Sequence, residues 1–420
     1  EAFMQLKASP DPEAAEPPSF DLGSLSEDKT RFTHWRAYPD NVNVFVEYVY
    51  DNPAPAEYED EDLADPRYVS MFVQHGLVRM PDNDFQPRSY DPRVGFFVSR
   101  LADLTSTAAA PWLDYINRWH LQKKDPGAQL SEPIEPIVFW LENTTPYEFR
   151  DTVLAAGRAW NEAFEKAGFK NAIQMKIQPD DADWDAGDIR YNVIRWTSAP
   201  TAPFGGFGPR VVNPRSGQII GADIMLDTVF ATSRIRYEKM FAVGESPGSA
   251  PAGPSCLAAK FAQMNNIVGR TVLRSRGYGE VKQGELLDQG IRELVLHEMG
   301  HSLGLNHNFI ASQMLPTDEL YSQETTGRLG TAGSVMEYSP ANVAPRGREQ
   351  GLFYDVRPGP YDRWAIEYGY SQALDNAQAE QARLDAILAR STERALWFAN
   401  DADDMRSPGA GIDPRVMIFD

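Results

Sequence analysis

Residues 294–308 read LVLHEMGHSLGLNHN, and within them His297, Glu298, His301, Gly304 and His307 keep the spacing H-E-x-x-H-x-x-G-x-x-H. On a helix, positions i and i+4 share a face, so the imidazoles of His297 and His301 converge. Two imidazoles arranged in this way can hold a zinc ion, and the Glu298 carboxylate beside them can serve as general base. A glycine can leave a helix through a left-handed turn, and at Gly304 that turn would swing His307 back as a third ligand. Three protein ligands with an open fourth position match a catalytic zinc site rather than a structural one. The chain has six histidines and half of them fall in this stretch, which argues against incidental core histidines.

Further along, residues 334–338 read SVMEY. Together with the histidine motif, this stretch resembles the metzincins, zinc proteases in which a tight turn places a methionine under the metal. The resemblance implies that Met336 is the Met-turn residue, a hydrophobic floor and not a ligand. It implies that Tyr338, in the S-x-M-x-Y arrangement of astacins and serralysins, is a metal-proximal tyrosine able to hydrogen-bond an oxyanion. Taken alone, both residues also suit ordinary turn and core packing. The residue after the third histidine is Asn308, not the acid, serine or proline of the familiar subfamilies, and the subfamily stays open. Residues 222–226 (ADIML) resemble the matrixin strand near the edge strand that lines the cleft, and residues 361–369 resemble the family's closing helix with shorter spacing. The whole chain is similar to the long bacterial zinc-dependent metalloproteases with large flanking domains of unknown function, notably at 88–97, 164–171 and 188–196.

The histidines need a scaffold, and the sequence patterns suggest one. Residues 136–142 (PIVFWLE) form an apolar run that reads as a buried strand. Residues 147–167 carry Phe149, Val153, Leu154, Trp160 and Phe164 on one side of a single amphipathic helix, closed by Gly168. Strands are expected at 172–177, 188–196 and 221–226, with a hairpin at 211–220 around residues 213–217. Helices are expected at 260–275 and, bearing the histidines, at 288–305. Strand, helix, several strands and then the zinc helix is the order of a metzincin catalytic domain. The resemblance therefore implies an α+β fold in which a twisted mixed sheet packs on a backing helix and a zinc-binding helix. Before it, alternation at 41–50 and the patterns at 68–79 and 91–97 predict a mostly β region. The expected divisions are an acidic, proline-rich flexible arm over 1–30, the β region over 31–133 and the catalytic domain over 134–372. A helical extension, cut short within the apolar run at 416–419, is expected over 373–420.

A chain of 420 residues can hold two or three domains. Its formal net charge of −20 argues against nucleic acid as a partner, because phosphate backbones require clustered Lys and Arg. The same acidity weakly favours cationic substrates. No apolar run is long enough to span a bilayer. The one cysteine, Cys256, excludes an internal disulfide framework, and its Gly-Pro-Ser setting lacks the arginine and aspartate of the matrixin latency switch. The acidic balance and absent disulfides fit a periplasmic or secreted bacterial protein. Asp181, Asp183 and Asp185, within PDDADWDAGD, are candidate calcium ligands. They fail the EF-hand pattern, and a solvated acidic turn fits equally. His34, His75 and His120 are scattered and read as structural, and the glycines at 205, 206 and 208 read as shaping a loop at the cleft rim.

These readings give a zinc-dependent endopeptidase acting on peptide or protein, with Glu298 as base. Two alternatives stay open: a zinc hydrolase of a non-peptide amide or ester, and a latent or non-enzymatic zinc-binding module.

Overall fold

The alternating apolar residues of β3 (Asn41–Asp51) bury Val46, Tyr48 and Tyr50. The strand pairs antiparallel with β1 (Ser24–Leu25) and β2 (Arg31–Ala37), and along its whole length with β4 (Tyr68–Val78). These strands belong to one compact unit, which runs to Pro81 and takes in residues 187–190. In it His34 stacks on Phe45 at 4.1 Å, and His75 Nε2 lies 2.9 Å from the Tyr48 hydroxyl, so both histidines are structural. Residues 24 and 25, expected in a flexible arm, pair with Asp51 and Tyr50.

The computed structural model describes residues 23–55, 65–107, 111–198, 206–227 and 258–400. Most of the expected N-terminal arm, part of the acidic loop after Asp51, Gly205, Cys256 and the final apolar run lie outside them.

The unit that holds the histidine motif begins at Asp82. Its first strands are the hairpin β5 (Val98–Ala102) and β6 (Trp112–Ile116), followed by β7 (Arg118–Trp119). Its main sheet contains β8 (Ile137–Leu141), β9 (Ile173–Ile177), β10 (Asn192–Thr197), β11 (Gly206–Phe207) and β14 (Ile224–Asp227). The order is β11-β14-β10-β8-β9; every neighbouring pair is parallel except β11, an antiparallel edge strand. A second small sheet joins β7 to the hairpin β12 (Arg210–Val212) and β13 (Gln218–Ala222), whose turn carries Gly217 at φ +77°. The parallel strands carry apolar runs because helices cover them.

Two helices do that covering. The backing helix α1 (Tyr147–Ala159) packs on β8, β9 and the histidine helix. The single helix expected over 147–167 is broken: α2 (Asn161–Lys166) starts anew after Trp160, whose N–H bonds Gly157 O, three residues back. The break seats the Trp160 indole, fully buried, so that Nε1 donates to Leu296 O at 3.2 Å. Burying such a ring stabilises the fold by about 1.5–3 kcal/mol and fixes the depth of the histidine helix. The strand expected over 221–226 is also split. Asp223 accepts a hydrogen bond from Val193 N at 2.8 Å, and there the chain passes from the small sheet to the main one.

Five more α-helices lie among the described residues of this unit: α3 (Ala258–Ser275), α4 (Glu280–Ser302), α5 (Gln323–Leu329), α6 (Pro360–Tyr370) and α7 (Ala377–Leu388). The histidine helix α4 starts eight residues before its expected start at 288. The chain as described is α+β, with a mixed sheet against a backing helix and the histidine helix. No described helix is long and apolar enough to cross a membrane.

Candidate metal centre

His297 and His301 lie in the last turns of α4, both buried, and His307 follows the turn at Gly304. Gly304 has φ +94°, a conformation that side chains with a Cβ rarely adopt, and an added Cβ would run into the Asn117 carbonyl oxygen. The turn thus needs glycine for its torsion and for its space. One ligand-capable atom from each histidine lies within 4.8 Å of the others, and His301 Nε2 is 3.2 Å from His307 Nε2.

Hydrogen bonds set which ring nitrogens face inward. Val335 O lies 2.7 Å from His297 Nδ1, and Leu305 O lies 2.9 Å from His301 Nδ1. A carbonyl can only accept, so each Nδ1 carries its proton and each Nε2 keeps a lone pair for a metal. Burial pushes His297 down to about 4 and His301 and His307 well below the ordinary histidine range, so all three are neutral at pH 7. Three neutral imidazoles at this spacing, two of them with the tautomer fixed, fit a zinc ion by the chemistry of the donor set. Among the described residues this trio is the group of His, Cys, Asp and Glu side chains that converges as a metal site.

The surroundings explain why the trio holds its shape. Asp362 on α6 accepts from Ser334 Oγ (2.5 Å), Val335 N (2.9 Å) and Gly359 N (2.7 Å), which pins the 334–336 turn and hence the carbonyl under His297. Met336 is fully buried; its sulfur occupies the space where a Cβ on Gly300 of α4 would stand. Trp119 Nε1 donates to Ser302 O and the Tyr370 hydroxyl to Leu303 O, satisfying carbonyls that the end of α4 leaves open. The turn itself is walled by the early part of the unit: Phe97 N donates to Gly304 O at 2.8 Å and Asn306 N to Gly95 O at 2.9 Å. On the other side, buried Asn308 donates to Trp397 O at 2.9 Å and accepts from Ala399 N at 3.2 Å. Residues 95–97, 117–119 and 397–399 therefore brace the site, and no local motif in those stretches announces it.

Glu298 is fully buried between its two neighbours, with Gly208, just past the edge strand, close to its backbone and carboxylate. The Tyr338 hydroxyl lies 3.1 Å from His307 Nε2, and its ring packs edge-on against His307 and Phe309. The structure thus brings His297, Glu298, His301, His307, Met336 and Tyr338 together. It leaves Asp181, Asp183 and Asp185 apart: all three are exposed and join no converging group. His120 lies 3.4 Å from Asp84 and edge-on to Phe85, away from the trio.

Residues 279–420 match the family model described as Met-zincin. This part of the chain is similar to the Met-zincins. The match spans the histidine helix, the Met336 turn, α6 and the segment that Asn308 holds. Residues 10–124 match a domain of unknown function, DUF5117, whose last part supplies the Gly95–Phe97 and Asn117 wall of the histidine site. No curated protein and no solved structure matches the chain.

Proposed function

We propose that this protein is a zinc-dependent endopeptidase, with His297, His301 and His307 as the ligands and Glu298 as the general base. The observation that carries the reading is the convergence of three neutral imidazoles, two of them buried on the helix that also carries Glu298, next to an edge strand. Zinc held by these histidines would supply Lewis acidity toward water and the scissile carbonyl. Glu298 takes the proton of the attacking water and passes it to the leaving amine nitrogen. The Tyr338 hydroxyl donates to the carbonyl oxygen as negative charge builds there. The outer edge of β11 pairs with an extended peptide through backbone groups, which gives affinity without sequence preference. Met336 closes the floor, and a periplasmic or secreted location would give such an enzyme protein substrates.

The test is cleavage of a denatured protein and a mixed peptide pool by zinc-loaded wild type and by zinc-loaded Glu298→Ala. Cuts by the wild type alone, with equal zinc content in both, support the reading. Zinc bound stoichiometrically with no cut by either would turn it toward a non-peptide amide or ester, or toward a binding module.

A further inference from the structure

Arg210 is the unexplained charge near the metal centre. It opens β12, two residues after Gly208, which touches Glu298. Its guanidinium lies over the Phe97 ring at 3.6 Å, and Phe97 in turn packs against His301 with ring centroids 5.6 Å apart. Its positive field reaches His301 and helps hold that ring neutral. Burial pushes the guanidinium down to about 10, with no anion offsetting the loss of water. Among the described residues no carboxylate pairs with it; its polar contacts are two long ones, both 3.4 Å, to the single amide oxygen of Asn117.

A guanidinium has five N–H donors in a planar fork shaped for a carboxylate. One amide oxygen at 3.4 Å leaves most of that capacity unused. Keeping a cation half-buried in this way costs free energy, and an arriving anion would recover it. The ring of Phe97 holds the fork in one plane, which lowers the entropy lost when a ligand binds. The chain as a whole is strongly acidic, with a formal charge of −20, so bulk electrostatics would repel an anionic peptide. A local cation stacked on Phe97, the ring that packs against His301, reverses that bias at one point.

We propose that Arg210 is a specificity-determining residue that binds a substrate carboxylate beside the scissile bond. The proposal rests on the peptidase reading above and names its substrate class: peptides carrying an Asp or Glu side chain near the cut, or ending in a free carboxylate there. Arg210 moves no proton; it positions the peptide.

The experiment uses the whole chain loaded with zinc. Cut sites in a peptide pool are mapped for wild type, Arg210→Gln and Arg210→Lys. Three matched peptides built on a mapped cut then carry an acidic residue, its amide isostere, or a free terminal carboxylate in place of a blocked end. Binding of the same labelled peptides to zinc-loaded Glu298→Ala, and to that variant with Arg210→Gln added, is read by fluorescence anisotropy. We expect one carboxylate peptide to be favoured over its amide isostere by about 10- to 100-fold, as for a charge-assisted hydrogen bond. Which one identifies the source of the carboxylate. Arg210→Gln abolishes the preference while zinc content and far-ultraviolet dichroism stay unchanged, and Arg210→Lys keeps part of it. Cleavage without any carboxylate preference overturns the inference and leaves the peptidase reading standing. Absence of cleavage, with Arg210-dependent binding of the carboxylate peptide, overturns the peptidase reading alone. If the carboxylate and amide peptides bind equally, or neither binds, the inference is wrong.

Discussion

Replacing Gly304 with alanine tests the architecture of the metal turn. At φ +94° an alanine is strained by about 1–3 kcal/mol, and its Cβ would meet the Asn117 carbonyl, a backbone group that cannot rotate away. The turn can relieve both only by shifting, which moves Leu305 O from His301 Nδ1 and carries His307 with it. Strain that is relieved without metal and restored on binding reappears as lost zinc affinity, about 5- to 150-fold. Competition against a chromophoric chelator measures that affinity, and thermal unfolding of zinc-free protein measures the strain that remains. With zinc saturating, kcat should still fall, because displacing one ligand by about 1 Å is enough to cost roughly 100-fold. An alanine variant with wild-type zinc affinity and wild-type kcat would refute the account of Gly304.

Three further perturbations address other parts of the site. Tyr338→Phe should lower kcat by about 10- to 1000-fold while zinc content holds, as measured by steady-state kinetics; an unchanged kcat would remove Tyr338 from the chemistry. Asn308→Ala removes the hydrogen bonds to Trp397 O and from Ala399 N and should cost about 1–3 kcal/mol in urea unfolding, with faster proteolysis after residue 396. Asp355, buried and raised to about 7 by desolvation although Thr331 and Ala332 donate to it, holds a proton in the folded chain that the unfolded chain has released between pH 4 and 7. Asp355's contribution to stability is therefore lost as pH rises through that window, against the opposite contribution of the three lowered histidines, and Asp355→Asn should shift the slope of urea midpoint against pH toward stability gained with rising pH. Buried Glu337, raised to about 7, and Asp362, raised to about 6, act in the same sense as Asp355, so part of that loss should survive the substitution.

The metal centre was legible because its information is local. Three histidines, a base and a turn glycine fall within eleven residues, and helix periodicity alone puts two of the ligands side by side. The strands and helices around it were legible wherever an apolar run or a clear period marked them, as at β3, β8 and α3. The pattern missed the break at Trp160 because the apolar stripe continues across it; the break answers to a hydrogen bond with Leu296, 136 residues away. It missed the wall for the same reason. Trp119 meets Ser302 across 183 positions, and neither residue carries a local sign of the other. Arg210 was passed over because a lone arginine opening a hairpin strand looks solvated; its charge becomes informative only once Phe97 and Asn117 are seen to enclose it. Asn308 did show in the sequence, as the atypical residue after the third ligand, and its partners explain the choice: an amide can both donate to Trp397 and accept from Ala399, which an acid or a proline cannot do.

The clasp at Asn308 also sets an order of events during synthesis. The ligands and their Gly95–Phe97 wall leave the ribosome first, and Trp397 follows 89 positions after Asn308. At ordinary elongation speeds that gap lasts about 5–20 s, during which the histidine turn exists with one side unbraced. A centre with that build order gains its second brace only once residue 399 has been made, so the turn that carries His307 stays loose through that interval of synthesis.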